Sequence, residues 1–92
     1  MSTDVLDRAW RVPDQVAVRP ERFGALLYHF GTRRLSFLKD PSLLAVLRSL
    51  ADAETARAAC LRAGVGEAEL PRYRAALTTL AASQMIEERR AA

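Results

Sequence analysis

Apolar and polar positions repeat with a period of two up to about residue 40 and with a period near 3.6 beyond it, so the chain reads as strands followed by helices. Gln15–Arg19 alternates, with Val16 and Val18 pointing one way, the pattern of a half-buried first strand. Phe23–Phe30 is nearly all apolar or aromatic, which suits a strand packed on a pleated surface. Gly31-Thr32 interrupts the run as a two-residue hairpin loop, with glycine at the first central position of a type II′ turn, where φ is positive. Arg34–Lys39 is the return strand. In this register Tyr28 faces Leu35 and Leu26 faces Phe37. Leu26, Tyr28, Phe30, Leu35 and Phe37 then share one side, and Ala25, Leu27, Ser36 and Leu38 share the other. A slip by one residue would exchange the two sets.

Asp40-Pro41 ends the hairpin, because Asp is a good N-cap and Pro fits the first helical position. Pro41–Ala51 places Leu43, Leu47 and Leu50 on one stripe, widened by Leu44 and Val46, and Asp52 is a stop or a new cap. Glu54–Ala63 reads as a small-residue helix that buries Ala56, Ala59, Cys60 and Ala63, with Gly64 as its C-cap. The last helix starts at Glu69 or Leu70 and carries Pro71 in its first turn. Its stripe is Leu70, Tyr73, Leu77 and Leu80, with Ala76 and Ala81 alongside, and it should fray near Ser83-Gln84.

The remaining stretches connect or end these elements. Met1–Leu6 reads as a loose end, Trp10–Asp14 as extended or turn, and Pro20-Glu21-Arg22 as the link to the hairpin. Trp10 is expected to cover one edge of the sheet. Met85-Ile86 tucks under the sheet, and Glu87–Ala92 is a charged tail. Residues 1–9 and 87–92 are expected to be flexible ends of a single domain spanning 1–92. The result is an α+β fold of winged-helix type: a three-stranded antiparallel sheet followed by three helices. The Phe23–Phe30 strand is central, and the return strand is an edge with unpaired backbone groups along its outer side.

Composition narrows the function. Ninety-two residues, half of them apolar, make one small folded domain with a modest core. That favours a binding module over an enzyme with an enclosed cavity. The net charge of +3 comes from acids and bases that are well mixed, with no basic run longer than two, so a solvated surface outweighs a nucleic-acid patch. No apolar run approaches the ~18 residues of a membrane span. Met1–Trp10 lacks the apolar core of a secretory signal, and a cytoplasmic location is the expectation.

Catalytic chemistry is poorly represented. His29 is the only histidine and sits within an apolar strand, where a structural role is favoured. Cys60 is the only cysteine, flanked by apolar residues on a helix face, and reads as a small buried hydrophobe. No serine has a nucleophile-elbow frame, and the glycines form no phosphate loop. No catalytic residue, metal ligand or cofactor-binding residue is assigned. Binding has a better candidate. An edge strand accepts an extended peptide as an added strand, and the return strand Leu35–Leu38 has that form, with the last helix as a second wall.

The run VAVRPERFGALLYHFGTRRLSFLK, Val16–Lys39, resembles the mycofactocin biosynthesis chaperones (the MftB family) of actinobacteria, and Ala81–Met85 (AASQM) is similar as well. Through that family the chain resembles the RiPP recognition elements, such as the peptide chaperone of the pyrroloquinoline quinone pathway. The resemblance implies three strands followed by three helices. It also implies a non-catalytic role: binding the leader of a ribosomal precursor peptide and presenting it to a radical-SAM maturase, which carries the iron–sulfur chemistry. In such modules the leader adds antiparallel to the third strand and rests on the third helix. Carried over by element and order, the peptide-binding residues are Arg34, Leu35, Ser36, Phe37 and Leu38 with Tyr73, Ala76, Leu77 and Leu80. Arg33 and Arg34 are candidates for reading acidic leader residues.

Two alternatives are kept. One is a winged-helix nucleic-acid binder, for which the middle helix offers only Arg57 and Arg62. The other is a structural homodimer in which the edge strand pairs with its own copy.

Overall fold

The computed structural model describes residues 4–89. The strands are β1 (Trp10–Arg11), β2 (Val16–Glu21), β3 (Gly24–His29), β4 (Leu35–Leu38) and β5 (Glu87–Glu88). The helices are α1 (Pro41–Ser49), α2 (Ala56–Arg62) and α3 (Leu70–Ala82). The α+β class holds: β2, β3 and β4 form a three-stranded antiparallel sheet in that order, with β3 in the centre, and the three helices follow. Tyr28 pairs with Leu35 and Leu26 with Phe37, the register that the apolar pattern predicts.

The two sheet faces have different fates. Ala25, Leu27 and Leu38 turn inward and join Leu43, Val46 and Leu47 of α1 and Tyr73, Leu77 and Leu80 of α3 in the core. Leu26, Tyr28, Phe30, Leu35 and Phe37 lie on the opposite, outward face, where Phe30, Leu35 and Phe37 are exposed. Removing a large inward side chain such as Leu27 would leave a cavity and cost about 2–5 kcal/mol.

The connections follow local chemistry. Asp40 caps α1, its Oδ1 accepting the Ser42 N–H at 2.8 Å, and Pro41 opens the helix. Thr55 caps α2 through the Ala58 N–H, so this helix starts two residues after the Glu54 expected from the apolar pattern. Asp52 closes a short 3₁₀ turn, Leu50–Asp52. Gly64, with φ at +88°, stops α2 as expected, and Gln84, with φ at +64°, follows the end of α3.

Several readings need correction. The hairpin turn is not type II′. Gly31 does not take a positive φ; the left-handed residue is Arg33, at +62°. The loop is longer, and the His29 ring holds it: Nδ1 accepts the N–H groups of Gly31 (3.0 Å) and Thr32 (3.1 Å). Glycine is needed at 31 because a Cβ there would meet the His29 ring at 2.9 Å. Pro20 and Glu21 are not a link but the end of β2, so the turn to β3 is Arg22-Phe23.

The ends of the described chain are packed. Val5 and Leu6, read as part of a loose end, form a 3₁₀ turn with both side chains buried. Trp10 does not cover the edge of the main sheet. It is buried in β1, with Nε1 donating to the Val5 carbonyl at 2.8 Å, and β1 pairs with β5. Glu87 and Glu88, read as a tail, are that second strand, ion-paired to Arg11 and Arg8. Met85 and Ile86 are buried, as expected. The outer parts of the expected flexible ends, residues 1–3 and 90–92, lie outside the described residues.

Gly24 has a φ of +148°, and a Cβ there would lie 2.1 Å from the Leu38 carbonyl oxygen and 2.8 Å from the Asp40 nitrogen. Both obstacles are backbone, so they cannot swing away. Gly24→Ala is expected to cost at least about 2 kcal/mol through combined backbone strain and steric overlap. A urea denaturation midpoint equal to that of the parent protein would show that the β3–β4 approach is looser than described.

Candidate peptide-binding site

β4 is the edge of the main sheet, and among the described residues no strand pairs with its outer side. Which backbone groups face outward follows from one bond. The His29 N–H donates to the Arg34 carbonyl, so 29 and 34 meet at a hydrogen-bonding position of the β3–β4 ladder, while the Phe30 N–H donates to Gln15 on the β2 side. In an antiparallel ladder such pairs alternate. With the observed register, Ser36 bonds inward to Leu27 and Leu38 to Ala25. The N–H and C=O groups of Leu35 and Phe37 therefore point away from the sheet.

Beside this edge runs an open groove of about 290 Å³, lined by Ser36, Phe37, Leu38, Lys39, Leu43, Ala76, Thr79 and Leu80. Leu38 and Leu43 contribute apolar surface from the sheet side and from α1, and Ala76, Thr79 and Leu80 form the α3 wall. An extended segment added to β4 would send alternate side chains into this groove and onto the outer sheet face.

Asp40 sets the spacing between the two walls. Its Oδ1 holds the start of α1, and its Oδ2 accepts the Tyr73 hydroxyl of α3 at 2.7 Å. Arg72 reaches the same oxygen at 3.4 Å and lies 4.9 Å over the Tyr73 ring. Burial works to raise the Asp40 carboxyl, but the Tyr73 hydroxyl, the Ser42 N–H and Arg72 outweigh it, and the group sits below the usual carboxylate range. Burial, reinforced by Asp40, pushes the Tyr73 phenol up.

The structure brings Ser36, Phe37, Leu38, Ala76 and Leu80 together at the groove. Leu35 is next to it, with its backbone facing out and its side chain on the outer sheet face. Tyr73 and Leu77 are core residues: Leu77 is fully buried, and the Tyr73 hydroxyl is committed to Asp40. Arg34 lies exposed just before β4, its N–H donating to Thr32 Oγ1. Sequence reasoning passed over Lys39, Leu43 and Thr79. Thr79 was legible, because 76, 79 and 80 share a helix face. Leu43 was hidden by its place in the buried stripe of α1.

The residues with reactive potential are accounted for structurally. Cys60 is fully buried, and burial pushes its thiol up. His29 serves the hairpin loop through Nδ1. Among the described residues no group of three or more His, Cys, Asp or Glu could hold a metal ion. No described helix is long and apolar enough to cross a membrane.

An open edge strand above an apolar groove is a form that takes extended peptides by strand addition, and the chain's relatives are peptide chaperones. It belongs to the Peptide chaperone MftB family, whose model matches residues 9–87. It is 61% identical over 80 residues to the peptide chaperone MftB of Mycobacterium ulcerans (strain Agy99), covering 87% of this chain and 73% of that one. Identity to the peptide chaperone MftB of Mycobacterium tuberculosis (strain ATCC 25618 / H37Rv) is 57% over 83 residues, covering 90% and 76%. For that of Mycolicibacterium smegmatis (strain ATCC 700084 / mc(2)155) it is 54% over 80 residues, covering 87% and 78%. No solved structure matches the chain.

Because the Asp40 carboxyl lies below its ordinary value of 3.8, it contributes stability above that pH and loses it as the pH falls through the lowered value. Asp4, held down chiefly by the Leu6 N–H, acts with the same sign. Asp40→Ala should lower stability by about 1–3 kcal/mol near neutral pH through the lost cap and the orphaned Tyr73 hydroxyl. Asp40→Asn keeps the cap and should flatten the decline below pH 3.8. Urea titrations across that range check both; an acid decline as steep in Asp40→Asn as in the parent would contradict this assignment.

Proposed function

We propose that this protein is a non-catalytic cytoplasmic peptide chaperone of mycofactocin biosynthesis. It binds the leader of the ribosomal precursor peptide as an antiparallel strand on β4 and presents it to a radical-SAM maturase. The observation that carries this reading is the pair of outward-facing residues, Leu35 and Phe37, next to the Leu38–Leu43–Leu80 groove. The names of the relatives support a peptide as partner.

The energetics are simple. A disordered leader gives up about 2–5 kcal/mol on ordering. Up to four backbone hydrogen bonds to Leu35 and Phe37, plus leader side chains buried against Ala76, Thr79 and Leu80, must exceed that. A held leader raises the local concentration of the peptide's reactive end at the maturase, so this chain needs no catalytic group of its own. The nucleic-acid alternative is weakened by α2, where Arg57 is engaged with Asp7 at 3.2 Å and Arg62 reaches the Asp52 carbonyl.

Two proline variants test the edge. Phe37→Pro removes an outward N–H, a change that edge strands tolerate, and should weaken calorimetric binding of the precursor peptide at least about tenfold, a loss of about 1.4 kcal/mol, while the fold survives. Ser36→Pro removes an inward ladder bond and should cost about 1–3 kcal/mol of stability. Equal peptide affinity in Phe37→Pro and the parent would remove β4 from the site. A homodimer that the peptide cannot dissociate would favour pairing of the edge with its own copy.

A further inference from the structure

The outer face of the main sheet has no cover. Phe23, Phe30, Leu35 and Phe37 are 44%, 59%, 55% and 62% exposed, and Leu26 and Tyr28 lie between them on the same face. Monomers rarely leave so continuous an apolar patch open without a use. Its rings pack on one another: Phe23 against Phe37 at 6.4 Å, and Tyr28 edge-on to Phe30 at 5.2 Å.

Charge at the margins identifies the occupant. Arg22 and Lys39 flank one end of the sheet, Arg33 and Arg34 the hairpin end, and none of the four is among the ion pairs of the described residues. Elsewhere Arg8, Arg11, Arg57, Arg72 and Arg74 are all matched by carboxylates. A second copy of this chain would bring like-charged rims together, which disfavours self-association through this face. A single-stranded nucleic acid would need free ring faces for stacking, whereas Leu26 and Leu35 break up the aromatic surface and Tyr28 and Phe30 meet edge to face.

We propose that this face docks the enzyme that receives the peptide, through an apolar patch on that enzyme rimmed by carboxylates. The proposal rests on the function proposed above and adds the surface and its chemistry. It also links the two binding events. A leader strand on β4 would project alternate side chains onto the outer face beside Leu35 and Phe37, extending the patch by one strand. Peptide binding then strengthens enzyme docking, and docking strengthens peptide binding by the same factor.

The test uses the full chain, the radical-SAM maturase and the precursor peptide, with binding read by biolayer interferometry and calorimetry. The double variant Phe23→Asp/Phe30→Asp lies outside the β4 groove. It should weaken maturase binding at least tenfold while peptide affinity stays within twofold. The charge-reversal variant Arg22→Glu, which leaves the apolar face intact, should do the same more mildly and covers the case in which the first variant misfolds. For the parent chain, peptide should tighten maturase binding several-fold. Maturase affinity unchanged in both variants would overturn the proposal, as would a parent chain that binds peptide but no maturase. An equal loss of peptide binding would assign the face to the peptide site instead. Concentration-dependent dimerisation abolished by the aspartates, or binding of a fluorescent oligothymidylate at physiological salt, would assign it to a second copy or to nucleic acid. A parent chain that does not bind peptide would defeat the proposed function itself.

Discussion

One carboxylate, that of Asp40, joins the three elements around the groove. It follows the last strand of the sheet, caps the first helix and receives the Tyr73 hydroxyl of the last helix. A strand edge and a helix face make a usable cleft only when their separation is held, because a cleft free to close would bury its own apolar walls. Asp40 is short and lies at the strand-to-helix junction, so β4 and α3 cannot move apart or together without breaking a charge-assisted hydrogen bond or uncapping α1. Arg72 adds a partly exposed contact of small weight.

Gly24 lets β3 approach the Leu38 carbonyl closely, so β4 lies tight on the centre strand and presents its free groups outward. The inward face supplies Ala25, Leu27 and Leu38 to the core. Leu35 and Phe37 do not serve the core; they carry the free backbone groups and, with Phe30, an exposed apolar surface. A protein this small gains little from spending aromatic residues on solvent, so a sheet exposed on one side with apolar residues reads as built for contact with other chains.

The main sheet was legible because its signals are local. Alternation in Gln15–Arg19, the apolar run of Phe23–Phe30 and the Asp40-Pro41 stop specify strand, strand and helix within a few residues, and the hairpin register follows from where the turn is centred. The helix stripes were legible for the same reason. What escaped depends on partners far along the chain. The pairing of Trp10-Arg11 with Glu87-Glu88 has only two residues on each side and no period to detect. Val5 and Leu6 look like a terminus until the structure places them in the core. The turn type was misread because Gly31 suggested a positive φ, whereas its role is to make room for the His29 ring. At the candidate site, the strand was legible by element, but helical spacing alone could not separate Leu77, which is core, from Thr79, which faces the groove.

Strand addition at this edge requires that the peptide take up the outward amides of β4. Hydrogen exchange followed residue by residue by NMR, with and without the precursor peptide, reads this directly. The Ser36 amide should be protected in both states, and the Leu35 and Phe37 amides should pass from fast exchange to protection when the peptide is added. Saturating peptide that leaves Leu35 and Phe37 exchanging as fast as before would contradict strand addition at this edge.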